Sequence, residues 1–387
     1  MCIRFRPFKY IRGKAGFQMR ILFAGGGTAG HINPAIAVAN YIKQKEPESE
    51  FLFVGTRQGM ESTLVPKQGY DIRFIKIHGF KRSLSLKNIK TVGEIFEGIR
   101  SVRKIIKEFR PDVVMGTGGY VTGPVLLTAA MMKIPTMVHE ANAYPGVTIR
   151  ILSRFADVVG LSMKEAAKFI PKSKRIEITG NPVRPEILAQ NQMSAKLKLG
   201  LGDKKVILIF GGSLGAEKIN QVCADWISSI LDEGKYQILM STGKNNQYEK
   251  VIKRFRENGR DVEKFQMLKV SEYIYDMDLA LNAADLIIAR SGGSVSEMTA
   301  LGKAAILIPS PYVAGNHQEH NARAVERSGG AVVITEAELS KEKLSDTVSY
   351  ILGNEDVLEK MSKGSKSIGI PDSTDRIYKI LKEISNT

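Results

Sequence analysis

The sequence predicts an α/β protein made of two Rossmann-like, doubly wound parallel-sheet domains facing a central cleft. Three observations carry this. From Arg20 onward, short apolar runs alternate with glycine turns and helical patterns, the signature of a parallel sheet covered by helices. The same punctuation then returns: Gly25-Gly26-Gly27 and Gly211-Gly212-Ser213 each follow the first strand of their half, while Gly116-Thr117-Gly118-Gly119 and Arg290-Ser291-Gly292-Gly293 each follow a later one. Finally, a length of 387 residues suits two domains at roughly 100 to 200 residues each.

Residues 1–18 carry Arg4, Arg6, Lys9, Arg12 and Lys14 but neither the apolar stretch nor the cleavage site of a signal peptide, and are expected to form a disordered basic arm. Strands are expected over 20–24, 51–54, 112–115 and 135–139 in the first half, and over 206–210, 237–241, 286–289 and 305–308 in the second. Gly180-Asn181-Pro182-Val183-Arg184-Pro185 holds two prolines three residues apart, which breaks any regular element. The predicted domains are therefore 19–182 and 183–370. A closing helix over 371–387 carries Ile377, Ile380, Leu381 and Ile384 on one face and could pack on either domain.

Hydrophobic residues at 43% and charged residues at 25% are ordinary for a globular chain, and no apolar run approaches the ~20 residues of a membrane span. The balance of 56 Lys and Arg against 40 Asp and Glu gives a net charge of +16, which favours an anionic partner. On charge alone, nucleic acid and anionic lipid both qualify. Cys2 and Cys223 cannot build a disulfide framework, which fits a reducing cytoplasm, and Cys223 reads as a small core residue.

Ligands of open parallel sheets bind outside the carboxyl ends of the strands, so both glycine-loop sets should open into one cleft. Gly25, Gly27 and Gly30 formally satisfy G-x-G-x-x-G, yet the second strand runs Phe51-Leu52-Phe53-Val54 into Gly55-Thr56-Arg57, without the acid that a dinucleotide ribose wants. That argues against NAD and leaves NADP through Arg57. No P-loop motif occurs at either loop. His31 stands at the start of the first helix, and His139-Glu140-Ala141-Asn142 follows a strand, bringing an imidazole, a carboxylate and an amide to the same sheet edge. A structural turn in which His139 and Glu140 satisfy each other is the plainer alternative. Glu297 could bridge ribose hydroxyls or complement a helix dipole. His317 and His320 lack further ligands at metal-site spacing, and Asp276-Met277-Asp278 is better read as a helix start than as a metal-binding Asp-x-Asp.

Six motifs in this order resemble the MurG family, the peptidoglycan N-acetylglucosaminyltransferases of glycosyltransferase family 28. They are Gly26-Gly27-Thr28-Ala29-Gly30-His31, Gly118-Gly119-Tyr120, His139-Glu140-Ala141-Asn142, Gly180-Asn181-Pro182-Val183-Arg184, Gly211-Gly212-Ser213-Leu214-Gly215-Ala216, and Ser291 through Glu297. The resemblance covers nearly everything from Met19 onward. It implies a GT-B fold and inverting transfer of N-acetylglucosamine from UDP-N-acetylglucosamine to the 4-hydroxyl of lipid I, undecaprenyl-pyrophosphoryl-muramyl-pentapeptide, giving lipid II. No metal or other cofactor is implied, and no nucleic acid. By position, Arg184 and Ser213 would meet the donor diphosphate, Ile274 uracil, Glu297 the ribose and Gln318 the sugar, with Thr28, Ala29, Gly30 and Asn142 bordering the donor. His31, Tyr120, His139 and Glu140 would line the acceptor side, with His31, or alternatively Glu140, as the base. Ala29 stands where the family has glycine, and Leu214, Ala141 and His317 stand where glutamine is common. A 2-epimerase or a glycolipid glycosyltransferase would share the donor half.

A lipid acceptor requires the enzyme to reach the membrane from the cytoplasmic side without a span, with cell-wall synthesis proteins as further partners. Between Phe74 and Arg110 ten basic residues face three glutamates. Within that stretch Phe80, Leu84, Leu86 and Ile89 beside Lys81, Arg82 and Lys87 read as a peripheral patch for an anionic membrane surface. Ile95, Ile99, Val102, Ile106 and Phe109 have the spacing of a core-facing helix.

Overall fold

A computed structural model describes residues 18–77, 87–170 and 173–386, the side chains of 87–96 excepted. The expected basic arm therefore lies outside the described residues, apart from Gln18. Among the described residues the first sheet holds β1 (Arg20–Gly25), β2 (Glu50–Gly55), β3 (Asp71–Phe74), β4 (Val113–Gly118), β5 (Thr136–Glu140), β6 (Val158–Leu161) and β7 (Ile176–Ile178). The second holds β8 (Lys205–Phe210), β9 (Tyr236–Ser241), β10 (Leu268–Ser271), β11 (Leu286–Ala289), β12 (Ala304–Leu307) and β13 (Ala331–Val333). Their orders are β3-β2-β1-β4-β5-β6-β7 and β10-β9-β8-β11-β12-β13, with every pairing parallel. In each sheet the order therefore reverses beside its first strand, between β1 and β4 and between β8 and β11. The glycine turns sit at these two switch points.

The central strands read as unbroken apolar runs because helices cover both faces. Ile21 to Ala24 and Val206 to Ile209 are fully buried. Helix Glu217–Ile230 seats Trp226 and Cys223 in the second core, and burial pushes the Cys223 thiol up to about 12. Helix Lys87–Phe109 buries Val102 and Ile106 against the first sheet, as its spacing predicted.

The closing helix, Ser373–Ser385, returns to the first domain. Ile377 and Leu381 have no exposed surface and pack with Met19, Ile21 and Phe23. Polar contacts rim this seam: the Tyr41 hydroxyl donates to Asp375 at 2.6 Å, and the Tyr378 hydroxyl and Lys382 ammonium both donate to Glu46 at 2.6 Å. The chain thus passes between the domains twice. The two passes touch, since the Val183 N–H donates to Ser373 Oγ at 3.2 Å.

Candidate functional site

At the first switch point the two glycine loops interlock. The Gly26 N–H donates to the Gly118 carbonyl at 3.3 Å, and Gly118, at φ +110°, lies under the His31 ring so closely that a Cβ there would stand 2.5 Å from Nδ1. Only glycine allows that approach. Thr28 is the N-cap residue of helix Ala29–Lys45 but makes no side-chain capping bond, so it and Gly30 present free polar groups at an exposed helix start. Ala29 is helical with negative φ, which accommodates a methyl where the family motif has glycine. His31 is partly exposed. Burial lowers its imidazole from the ordinary value, opposed by a hydrogen bond to the Thr117 backbone and reinforced by His317 of the other domain. A neutral imidazole is thereby favoured at the junction of the domains.

His139 and Glu140 end β5, and the structure places both away from the cleft surface. His139 is fully buried, and its Nε2 lies 2.9 Å from the Gly180 carbonyl, beneath the first interdomain pass. Burial pushes its imidazole down to about 4, and Nδ1 has no partner. It is thus a neutral N–H donor to Gly180 rather than part of an acceptor wall. Nor does it satisfy Glu140. That carboxylate, 3% exposed, accepts from the Asn142 N–H, the Asn142 side-chain amide and the Gly146 N–H, each at 2.9 Å. Burial raises its pKa, opposed by these donors. Both oxygens of Glu140 are thus engaged by the turn it organises, whereas His31, the other candidate base, is partly exposed.

That turn is also a contact between domains. Asn321, 1% exposed, accepts from the Ala143 N–H at 2.8 Å and donates to Asn142 Oδ1 at 3.1 Å and to the Ser291 carbonyl at 3.0 Å. Beside it the Tyr144 and His320 rings stack at 4.8 Å. His317 instead binds the Ala314 carbonyl at 2.9 Å through Nδ1. The two histidines thus serve separate contacts, and no group of three metal-ligating side chains occurs among the described residues. Arg57 lies over the Phe74 ring at 5.0 Å, a packing role for the residue that had kept NADP open.

In the second domain, the turn at 211–216 leads into helix Glu217–Ile230 with Ser213 exposed. It borders a cavity of about 620 Å³ shared with Lys218, Arg290, Tyr312 and Gln318. Arg290 itself is tied to Glu336 and to the Ile308 carbonyl. Gln318 is held by its oxygen, which accepts the Ser310 N–H at 2.9 Å, and its backbone carbonyl accepts the Ser291 hydroxyl at 2.7 Å. Ile274 is half-buried against the second core, in the loop after β10. Arg184 and Glu297 are brought together as an ion pair, Nε to Oε1 at 2.9 Å. Glu297 stands in the first turn of helix Ser294–Ala300 and Asp278 in that of helix Met277–Ala283. Asp276 makes no side-chain cap. Arg184, Glu297, Tyr273 and Met277 face Gly30, Asn33 and Tyr41 of the first domain across a cavity of about 890 Å³.

The Tyr120 ring packs over Gly27 of the first loop. Sequence reasoning missed Glu61, which belongs to none of the six motifs yet lies beneath the first loop and accepts the Gly27 N–H. Its only signal was a glutamate at a helix start, which reads as a dipole complement.

Residues 21–161 match the glycosyltransferase family 28 N-terminal domain, and residues 206–377 match the family's C-terminal domain. The chain belongs to glycosyltransferase family 28. This family 28 chain is similar to the UDP-N-acetylglucosamine–N-acetylmuramyl-(pentapeptide) pyrophosphoryl-undecaprenol N-acetylglucosamine transferase of Acetivibrio thermocellus, with 48% identity over 368 residues, 95% of this chain and 98% of the relative. The enzyme of the same name from Ruminiclostridium cellulolyticum is 45% identical over 370 residues, 95% of this chain and 100% of the relative. Among solved structures, MurG of Acinetobacter baumannii superimposes with a TM-score of 0.77 at 27% identity, covering 94% of this chain and 99% of that one. A UDP-N-acetylglucosamine 2-epimerase of Neisseria meningitidis bound to UDP-N-acetylglucosamine covers 94% of this family 28 chain and 100% of its own length at TM-score 0.62. At 17% identity it shares the fold alone. Two doubly wound domains with a common cleft are the expected GT-B architecture.

Proposed function

We propose that this chain transfers N-acetylglucosamine from UDP-N-acetylglucosamine to the 4-hydroxyl of lipid-linked N-acetylmuramyl-pentapeptide, with inversion at the anomeric carbon. One observation carries the reading: Gly30 and Asn33 at the start of the first domain's first helix face Arg184, Gly293 and Glu297 of the second domain across one cavity, and His31, the residue after Gly30, is near enough to His317 of the second domain to feel its charge. The activity for which the Acetivibrio thermocellus and Ruminiclostridium cellulolyticum relatives are named supplies donor and acceptor.

The acceptor oxygen attacks the anomeric carbon opposite the diphosphate. The carbon–oxygen bond to UDP breaks with its electron pair leaving on the diphosphate, and His31 takes the acceptor's proton. Of the two candidate bases, His31 is the one with exposed surface and an imidazole biased neutral. Arg184 and the free N–H groups at the 211–216 turn stabilise the departing charge, as helix starts do for anions. Glu297 holds the ribose hydroxyls, which frees Arg184 from their mutual ion pair for the diphosphate. Ile274 borders uracil, and Gln318, held by Ser310, offers its amide to the sugar. Thr28, Gly30 and Asn142 lie at the seam where donor sugar and acceptor meet.

The enzyme works at the cytoplasmic face of the membrane as a peripheral protein. No described helix is long and apolar enough to cross a membrane. Phe80, Lys81, Arg82 and Leu84 lie outside the described residues, and Lys87 opens helix Lys87–Phe109. Their charge supports binding to anionic lipid at about 1 kcal/mol per well-placed cation. Sedimentation with phosphatidylglycerol vesicles should weaken as salt rises and when Lys81 and Arg82 are replaced by Ala. Binding indifferent to both would remove the patch.

The deciding experiment incubates the protein with radiolabelled UDP-N-acetylglucosamine and a lipid I analogue. The expected result is label in the lipid-linked disaccharide. Conversion of the free nucleotide sugar to its 2-epimer without transfer would replace this reading with the epimerase.

A further inference from the structure

Beneath the 25–31 loop lies a carboxylate that the transfer chemistry above does not use. Glu61, the first residue of helix Glu61–Lys67, is 1% exposed. It accepts the Gly27 N–H at 3.0 Å, the Thr56 N–H at 2.8 Å and the Thr56 hydroxyl at 2.9 Å. The backbone on both sides is moulded to it: a Cβ on Gly26 of the loop would stand 2.9 Å from Oε1, and one on Gly59, in the turn before the helix, would collide with the carboxyl group.

The third bond sets a direction. Thr56 has one hydroxyl hydrogen and gives it to Glu61 Oε1, the same oxygen that accepts the Thr56 N–H. The 3.0 Å contact between Thr56 Oγ1 and the Tyr120 hydroxyl must then be donated by Tyr120. Tyr120 packs its ring over Gly27, so the loop and the tyrosine are held from the same anchor.

We propose that Glu61 is a positioning residue for the acceptor half of the cleft. Its carboxylate seats Gly27 directly and, through Thr56, commits the Tyr120 hydrogen inward, so that the Tyr120 oxygen meets substrate only as a hydrogen-bond acceptor. Its substrate partner is therefore a donor, a hydroxyl or amide N–H of the acceptor glycan. The inference rests on the proposed transfer reaction.

The test uses the full chain with Thr56→Val, Thr56→Ser, Tyr120→Phe, Glu61→Gln and the Thr56→Val/Tyr120→Phe double variant. Readouts are kcat and KM for the lipid I analogue and UDP affinity by calorimetry. Thr56→Val cuts the relay while leaving the backbone bonds of Gly27 and Thr56, and should lower kcat/KM for the acceptor about tenfold, the worth of one hydrogen bond. Thr56→Ser should restore it, UDP affinity should stay unchanged, and the double variant should be no worse than Tyr120→Phe alone. Glu61→Gln removes an acceptor from beneath the loop and should cost more than Thr56→Val. Should Glu61→Gln fail to fold, the threonine pair still decides. Wild-type acceptor kinetics in Thr56→Val, multiplying effects in the double variant, or an equal loss of UDP affinity would each overturn the proposal. Absence of transfer by the unmodified chain would instead overturn the reaction itself.

Discussion

Replacing His139 by Gln probes the buried imidazole under the first interdomain pass. The Gln side chain keeps an N–H for the Gly180 carbonyl but cannot be protonated between pH 5 and 8. In the folded chain His139 is held down to about 4 by burial, against an ordinary 6.5, and Nδ1 has no acceptor for a second proton. The unfolded chain therefore binds that proton first as pH falls. The stabilisation from the depressed value is fully present above pH 6.5 and is lost progressively toward pH 4. At about 1.4 kcal/mol per pH unit the whole span amounts to about 3 kcal/mol, of which about 2 kcal/mol is gone by pH 5. Urea unfolding of both proteins, followed by circular dichroism at pH 7.5, 6.5, 5.5 and 5.0, isolates the effect, since other titrating groups are common to both. The stability of wild type relative to His139→Gln should fall by about 2 kcal/mol across the series. A constant difference would mean that His139 accepts a proton in place, and would refute the reasoning.

His31→Ala should reduce turnover by about 10² to 10⁴ while leaving UDP binding intact in calorimetry, and near-normal turnover would end its assignment as base. Because His31 is lowered from its ordinary value, the acid limb of kcat/KM should fall below pH 6.5 and disappear in His31→Ala. Arg184→Ala should weaken UDP affinity by about 10- to 100-fold, since a charge-assisted contact contributes about 1.5–3 kcal/mol; unchanged affinity would detach Arg184 from the diphosphate. Leu381→Ala should lower stability by about 2–5 kcal/mol through a cavity in the first core, read by urea unfolding.

The turns were legible because their demands are local: Gly118 must let an imidazole approach, and a run such as Val206-Ile207-Leu208-Ile209 has one physical use in a sheet covered on both faces. The roles of His139 and Glu140 were not, because they depend on chain that returns from elsewhere. Gly180 supplies the carbonyl that fixes His139, and Gly146 folds back to occupy Glu140. Arg184 and Glu297 each carried a ligand reading, but nothing local announces an ion pair across 113 residues. The closing helix showed its apolar face in Ile377 and Leu381, yet amphipathicity names no partner. Glu61 was invisible for the opposite reason: a glutamate opening a helix needs no explanation until the loop above it is built.

The return of helix Ser373–Ser385 has a consequence for synthesis. Ile377 and Leu381 belong to the core of the first domain, although they are made after the whole of the second sheet. The second sheet, ending with β13 at Val333, is complete before they emerge from the ribosome. Domains made early ordinarily fold early. Here the apolar seam along Met19, Ile21 and Phe23 stays open until helix Ser373–Ser385 has been made, so the core of the first domain closes only after every strand of the second sheet is available.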